Sequence, residues 1–147
     1  MKPAIQRRYR PSVLSRLHLA RLHSRLVHDE QNALQPYGLT AAQFDVLSRL
    51  ATEPGLNQQM LADRLLVTKG NICGLIDRLE LAGLVERRND PQDRRTYHLH
   101  LTLSGVKLFE QAAPALEEAI GRQFELLNDD EMDTLLTLLA KLDRALR

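Results

Sequence analysis

The chain has no tryptophan and a single cysteine, Cys73. One cysteine excludes an intramolecular disulfide framework and any cysteine-rich zinc site. Aromatic residues are limited to three Tyr and three Phe, so a core has to be built from Leu, Ile, Val and Ala. No apolar run approaches the roughly 20 residues a membrane-spanning helix needs, so no membrane association is expected. The N-terminus is basic but no apolar run follows it. No signal peptide is therefore expected, and the expected location is the cytoplasm. A large net charge is also missing, the formal value being +1. We find no nucleophile–base pair, no glycine-rich phosphate loop and no carboxylate cluster in an apolar setting, so neither an enzyme nor a cofactor is expected. Internal repeats and low-complexity segments are absent too.

What remains is a chain of 147 residues with 44% hydrophobic content, enough for a folded domain or two closely joined parts. Its charge is uneven. Residues 1–35 hold seven Lys/Arg against two Asp/Glu, and residues 102–147 hold five against nine. A basic N-terminal arm suits phosphate contacts, and a solvated tail is the plain alternative.

Apolar periodicity predicts a first helix from about Pro11 to Gln35. One stripe contains Val13, Leu17, Ala20, Val27 and Leu34. A second, with Leu19, Leu22, Leu26 and Ala33, runs beside it. A helix apolar on two sides is either central in its domain or packed on another subunit. Pro36-Tyr37-Gly38 ends it. Thr40 and Gln43 then fit a capping box, with Leu39 and Phe44 as its hydrophobic staple. Asn57 caps a short helix that stops at Leu66-Val67, and Thr68 caps another that reaches Ala82 and ends at Gly83. Leu84 to Arg88 and Thr96 to Leu101 pattern as two strands around a turn-rich loop. A long helix from about Leu103 to Leu127 contains Pro114, where a kink is expected. Asn128 and Glu131 box the last helix, whose stripe includes Met132, Leu135, Leu136, Leu139, Leu142 and Leu146.

The helix after Thr68 is unusual on one side only. Ile72, Leu75, Ile76 and Leu79 define a core face, and Gly70, Gly74, Asp77 and Leu81 lie opposite. Two glycines within a helix cost about 1 kcal/mol each against alanine. On an outward face they permit close approach to a groove. Asn71 suits bidentate pairing with adenine, and Arg78 flanks the same edge. Thr68 and Lys69 sit at the helix N-terminus, where free N–H groups favour phosphate oxygens. Arg94 and Arg95 occupy the hairpin tip, where a guanidinium can enter a minor groove. Asp93 is expected to orient Arg95 through a bidentate pair. Arg87 and Arg88 are expected to add charge along the DNA backbone.

These residues resemble those of the MarR family of bacterial transcriptional regulators. Leu39-Thr40-Ala41-Ala42-Gln43-Phe44-Asp45-Val46-Leu47 is similar to its "LT-x-x-Q-F-x-V-L" pattern. Ala62-Asp63-Arg64-Leu65 and the run from Ile76 to Arg87 are similar to its helix-turn-helix and first strand. Asp93-Arg94-Arg95 resembles its wing motif, and Leu101-Thr102-Leu103-Ser104-Gly105 its "LT-x-x-G" motif. The resemblance spans roughly residues 14–146. It implies a mainly α fold with a small β-hairpin, a winged helix-turn-helix at residues 37–102 flanked by dimerisation helices at residues 1–36 and 103–147. It further implies a homodimer that binds a palindromic operator in double-stranded DNA as a repressor. Release is then by a small molecule, often phenolic or lipophilic, or by oxidation.

For a small-molecule site between the dimer helices and the winged part, His18, Arg21 and Tyr37 are the candidate polar lining. Redox and metal responses are the alternatives within the same fold. In the peroxide-sensing branch of the family the cysteine lies in the first helix. Here Cys73 lies in the recognition helix and has no second cysteine to resolve it, which favours a small packing residue. His18, His23 and His28 are five apart and do not share a helix face. His98 and His100 share a strand face, but two histidines make a weak metal site. A protein-binding winged helix without DNA is the remaining alternative, and the Arg94-Arg95 tip and the two glycines weigh against it.

Overall fold

The computed structural model describes residues 10–146. Helix α1, Pro11–Leu34, starts with proline at its first turn and passes through a 3-10 turn, Gln35–Tyr37, into Gly38. Gly38 has φ +68°, a left-handed conformation that ends the helix without a Cβ penalty. Helices α2, Ala41–Thr52, α3, Gln58–Leu65, and α4, Lys69–Leu81, follow. The hairpin is β1, Val85–Asn89, antiparallel to β2, Tyr97–Leu101, with Arg87 opposite Leu99 and Arg88 opposite His98. Helices α5, Leu103–Phe124, and α6, Asp129–Ala145, complete the chain. The basic residues Lys2, Arg7 and Arg8 of the expected phosphate-touching arm lie outside the described residues.

Local chemistry accounts for where the helices begin. Thr40 and Gln43 form the expected capping box, as do Asn128 and Glu131. Asn57, Thr68 and Thr102 each accept the backbone N–H three residues on. The α3–α4 corner is made by Leu66 at φ 54°, a left-handed conformation that costs a non-glycine residue about 1–2 kcal/mol. That cost is offset by hydrogen bonds from Leu66 and Val67 back to the last turn of α3. Strand β1 begins one residue later than expected. The Leu84 N–H is committed to Leu79 O, closing α4 around Gly83.

The core gathers Leu34 from α1, Phe44, Val46, Leu47 and Leu50 from α2, and Leu61 from α3. Ile72, Ile76 and Leu79 come from α4, Val85 and Leu99 from the hairpin, and Ala112 and Leu116 from α5. Phe44 and Phe109 pack with ring centroids 5.4 Å apart, joining α2 to α5. Gln31 of α1 donates to Leu39 O and accepts from Ala41 N, fastening the α1–α2 connection. Gly105 sits where α5 crosses the start of the hairpin. A Cβ there would lie 2.0 Å from Leu84 O, so only glycine fits. Helix α5 continues on both sides of Pro114. Helix α6 buries none of its side chains, and α1 buries only Leu34. Leu14, Leu17, Leu22, Leu136, Leu139 and Leu142 are each between 40% and 57% exposed, so both helices carry bare apolar surface.

Candidate nucleic-acid interface

Helix α4 separates its faces as the wheel predicts. Ile72, Ile76 and Leu79 are fully buried, while Lys69, Gly70, Asn71, Asp77, Arg78 and Leu81 are exposed. Leu75 is half-buried. A Cβ at Gly70 would meet nothing within 4 Å. At Gly74 it would meet only Arg78 Nη2, at 3.4 Å. Packing within the subunit therefore requires neither glycine. The Thr68 hydroxyl accepts from Asn71 N at 3.3 Å and so caps the first turn of α4. Arg78 Nε donates to Gly74 O at 3.0 Å, which lays its guanidinium over the gap that Gly74 leaves.

The wing corrects one expectation. Asp93 does not pair with the Arg95 guanidinium. Its Oδ1 accepts the Arg95 backbone N–H at 2.9 Å and its Oδ2 accepts the Thr96 hydroxyl at 2.9 Å. Thr96 N also donates to Asp93 O. A short carboxylate that captures N–H groups two residues on makes a tight turn, and this competes better than reaching a long, mobile guanidinium. Arg94 and Arg95 are exposed and have no carboxylate partner among the described residues.

Arg87 and Arg88 also differ from expectation, because neither presents free charge. Arg87 Nη2 donates to Asp77 Oδ1 at 2.5 Å, and Nη1 donates to Glu80. Burial works against its charge, but the hydrogen bond it donates to Asp77 and the negative charge of Glu80 outweigh it, and its pKa is raised. Arg88 Nε donates to Glu86 Oε1 at 2.7 Å.

Between the start of α4 and the wing lies a cleft of about 320 Å³. Lys69, Arg87 and Arg95 line it together with Asn57, Gln58, Gln59 and Tyr97. Gln58, Gln59 and Tyr97 are not among the interface residues expected from the sequence. The available signal was the Asn57 cap, which places both glutamines in the first turn of α3. Gln58 also donates to Cys73 Sγ, so the cysteine is half-buried between α3 and α4. His98 is engaged as well. Its Nδ1 lies 2.8 Å from Gly55 O and its Nε2 3.0 Å from Asp90 Oδ2, so both ring nitrogens face acceptors.

The candidate ligand residues do not converge within one protomer. His18 and Arg21 are exposed on α1, and Tyr37 packs beside the core beyond its far end. At 1.5 Å rise per residue, Arg21 lies about 20 Å along the helix from Leu34. A cleft of about 420 Å³ between α1 and α5 gathers other polar groups, Asp29, Asn32, Arg122 and Gln123. Gln123 Nε2 donates to Leu26 O, while its Oε1 is buried without a partner. Among the described residues no helix is long and apolar enough to cross a membrane.

The interface geometry has counterparts among known proteins. A sequence profile of the MarR family matches residues 37–96. YkoM of Bacillus subtilis (strain 168), an uncharacterised HTH-type transcriptional regulator, is 36% identical over 105 residues, covering 71% of this chain and 68% of that protein. The transcriptional repressor CouR, solved bound to a 23-mer DNA duplex, superposes with a TM-score of 0.80 at 35% identity, covering 86% of this chain and 89% of CouR. BpsR of Bordetella bronchiseptica, solved to explain how 6-hydroxynicotinic acid regulates its DNA binding, gives 0.80 at 30% identity, covering 88% and 98%. The match extends across the helix-turn-helix and the hairpin, and this chain belongs to the MarR family of DNA-binding transcriptional regulators.

Proposed function

We propose that the protein is a repressor that binds a palindromic operator as a homodimer and is released by a small aromatic acid. The observation that carries the dimer is the bare apolar surface of α1 and α6, two helices outside the winged part. A two-fold pair of such modules matches the symmetry of a palindrome, with half-sites about one helical turn apart. Residues 1–36 and 103–147 then form the dimerisation region and residues 37–102 the reading domain. Lys69, Asn71, Gly70 and Gly74 face the major groove, and Arg94 and Arg95 the minor groove. Likeness to the repressor CouR supports the sign of regulation.

The effector reading draws on BpsR and on the α1–α5 cleft. The cleft's size suits a small molecule, and the unpartnered Gln123 Oε1 supplies a buried acceptor. His18, Arg21 and Tyr37 fit this reading less well than Asp29, Asn32, Arg122 and Gln123.

The deciding experiment combines sedimentation with a gel shift on the DNA upstream of the gene, at several salt concentrations. A dimer that binds with a steep salt slope, and that loses affinity by about 1–3 kcal/mol with an aromatic acid, is the expected outcome. A monomer, or binding indifferent to salt, rejects the repressor reading. A dimer that binds but ignores a broad set of aromatic acids rejects the effector alone.

A further inference from the structure

The Arg87 guanidinium is held by two carboxylates of the recognition helix, Asp77 and Glu80, one turn apart on α4. Exposed ion pairs usually contribute little. This one differs in two respects. Its side chain is only 22% exposed, and one planar fork serves two anions at once, which restricts geometry as well as adding attraction. The link is also topologically special. Arg87 belongs to β1, so it joins the helix that faces the major groove to the hairpin that carries Arg94 and Arg95. Asp77 lies on the same outward face of α4 as Gly70 and Gly74, and its side chain is 65% exposed. Without Arg87 it would present a free anion to phosphates.

We infer that Arg87 is a positioning residue for DNA recognition and not a DNA contact. It fixes the angle between α4 and the wing, so that the two reach adjacent grooves in one register. It also turns two carboxylates of α4 away from the phosphates. The inference rests on the DNA-binding reading of α4 and the wing.

The test uses the full-length protein and a duplex that the wild type enriches from a random-sequence pool. Arg87→Gln is expected to lower affinity for that duplex by about tenfold and to weaken non-specific binding to scrambled duplex by a clearly smaller factor, the share due to the uncovered Asp77 carboxylate. The salt slope is expected to stay at the wild-type value, because no phosphate contact is lost. A phosphate-binding arginine would instead lower the slope by about 0.9 and weaken both duplexes alike. The Asp77→Asn, Glu80→Gln double variant keeps side-chain shapes and removes two anions near DNA. Electrostatics alone predicts tighter binding, and the clasp predicts weaker specific binding. The charge-exchanged variant Glu80→Arg, Arg87→Glu is expected to recover part of the lost specificity, which protects the test against a simple folding defect. Tighter binding by the Asp77, Glu80 double variant, or a reduced slope in Arg87→Gln, overturns the inference. Failure of the wild type to enrich any sequence overturns the DNA-binding reading itself.

Discussion

Asp93 grips the backbone of Arg95, at 2.9 Å, and leaves the guanidinium free. The carboxylate shapes the loop, and the loop aims the cation. Arg95→Ala removes the charge and is expected to weaken operator binding, with a salt slope lower by about 0.9. Asp93→Ala is expected to weaken it too, by about 1 kcal/mol, because two turn hydrogen bonds are lost. Removing an anion beside phosphates would by itself tighten binding. Affinity at fixed salt separates the two accounts, and tighter specific binding by Asp93→Ala rejects the shaping role.

Gly74 offers a test in which stability and function move in opposite directions. Only the flexible end of Arg78 lies near a Cβ at this position. Gly74→Ala is therefore expected to stabilise the fold by about 1 kcal/mol in denaturant titration. Gly74→Leu is expected to fold and to lose operator binding, because the added bulk stands on the groove side. Asn71→Ala is expected to cost about 1–3 kcal/mol at one base pair and to relax preference there. Normal operator binding by Gly74→Leu would remove the close-approach argument.

His98 couples the wing to the turn before α3 in a pH-dependent way. The hydrogen bond to Asp90, and next the one to Gly55 O, raise its pKa above the ordinary 6.5. Asp90 is lowered from 3.8, first by its hydrogen bond to His98. Arg88 across the strand and His100 on the same face are its other charged or titratable neighbours. A raised pKa means the contribution is complete below 6.5 and is lost as pH rises through the folded value. Asp90 adds its share above 3.8 and loses it as pH falls through its lowered value. The stability difference between wild type and His98→Gln is thus expected to be greatest between pH 3.8 and 6.5 and to shrink on the alkaline side. A ring titration by NMR with a midpoint at or below 6.5 would contradict this.

Helix α6 has no fully buried side chain, only Met132 and Leu135 being half-buried. Deleting residues 129–147 is expected to give a monomeric or insoluble protein that no longer retards operator DNA. A soluble truncated dimer with wild-type affinity would place the subunit contact elsewhere.

Much of this architecture was legible in the sequence because it is written in local chemistry. Thr40, Asn57, Thr68 and Asn128 cap the helices they were expected to cap, and Gly83 ends α4 in the left-handed region. The buried and open faces of α4 followed from helical periodicity alone. The main differences concern which groups meet once the chain has folded. Arg87 and Asp77 are ten residues apart and meet only because the hairpin folds back on α4. Asp93 turned to its neighbours' backbone, which lies nearer than any guanidinium. His18 and Arg21 are neighbours on α1, and the length of that helix separates both from Tyr37.

The joint at Gln31 has a mechanical consequence. Both ends of its amide hold the chain on either side of Thr40, just before Phe44 and Leu47 enter the core. Two hydrogen bonds from one side chain tie the end of α1 to the start of α2. A shift of α1 by whatever settles against it is therefore expected to act on the first turn of α2, whose next turn packs in the core beneath α4. In a paired assembly the distance between two reading heads is then set by the long helices, as the span of a caliper is set at its pivot.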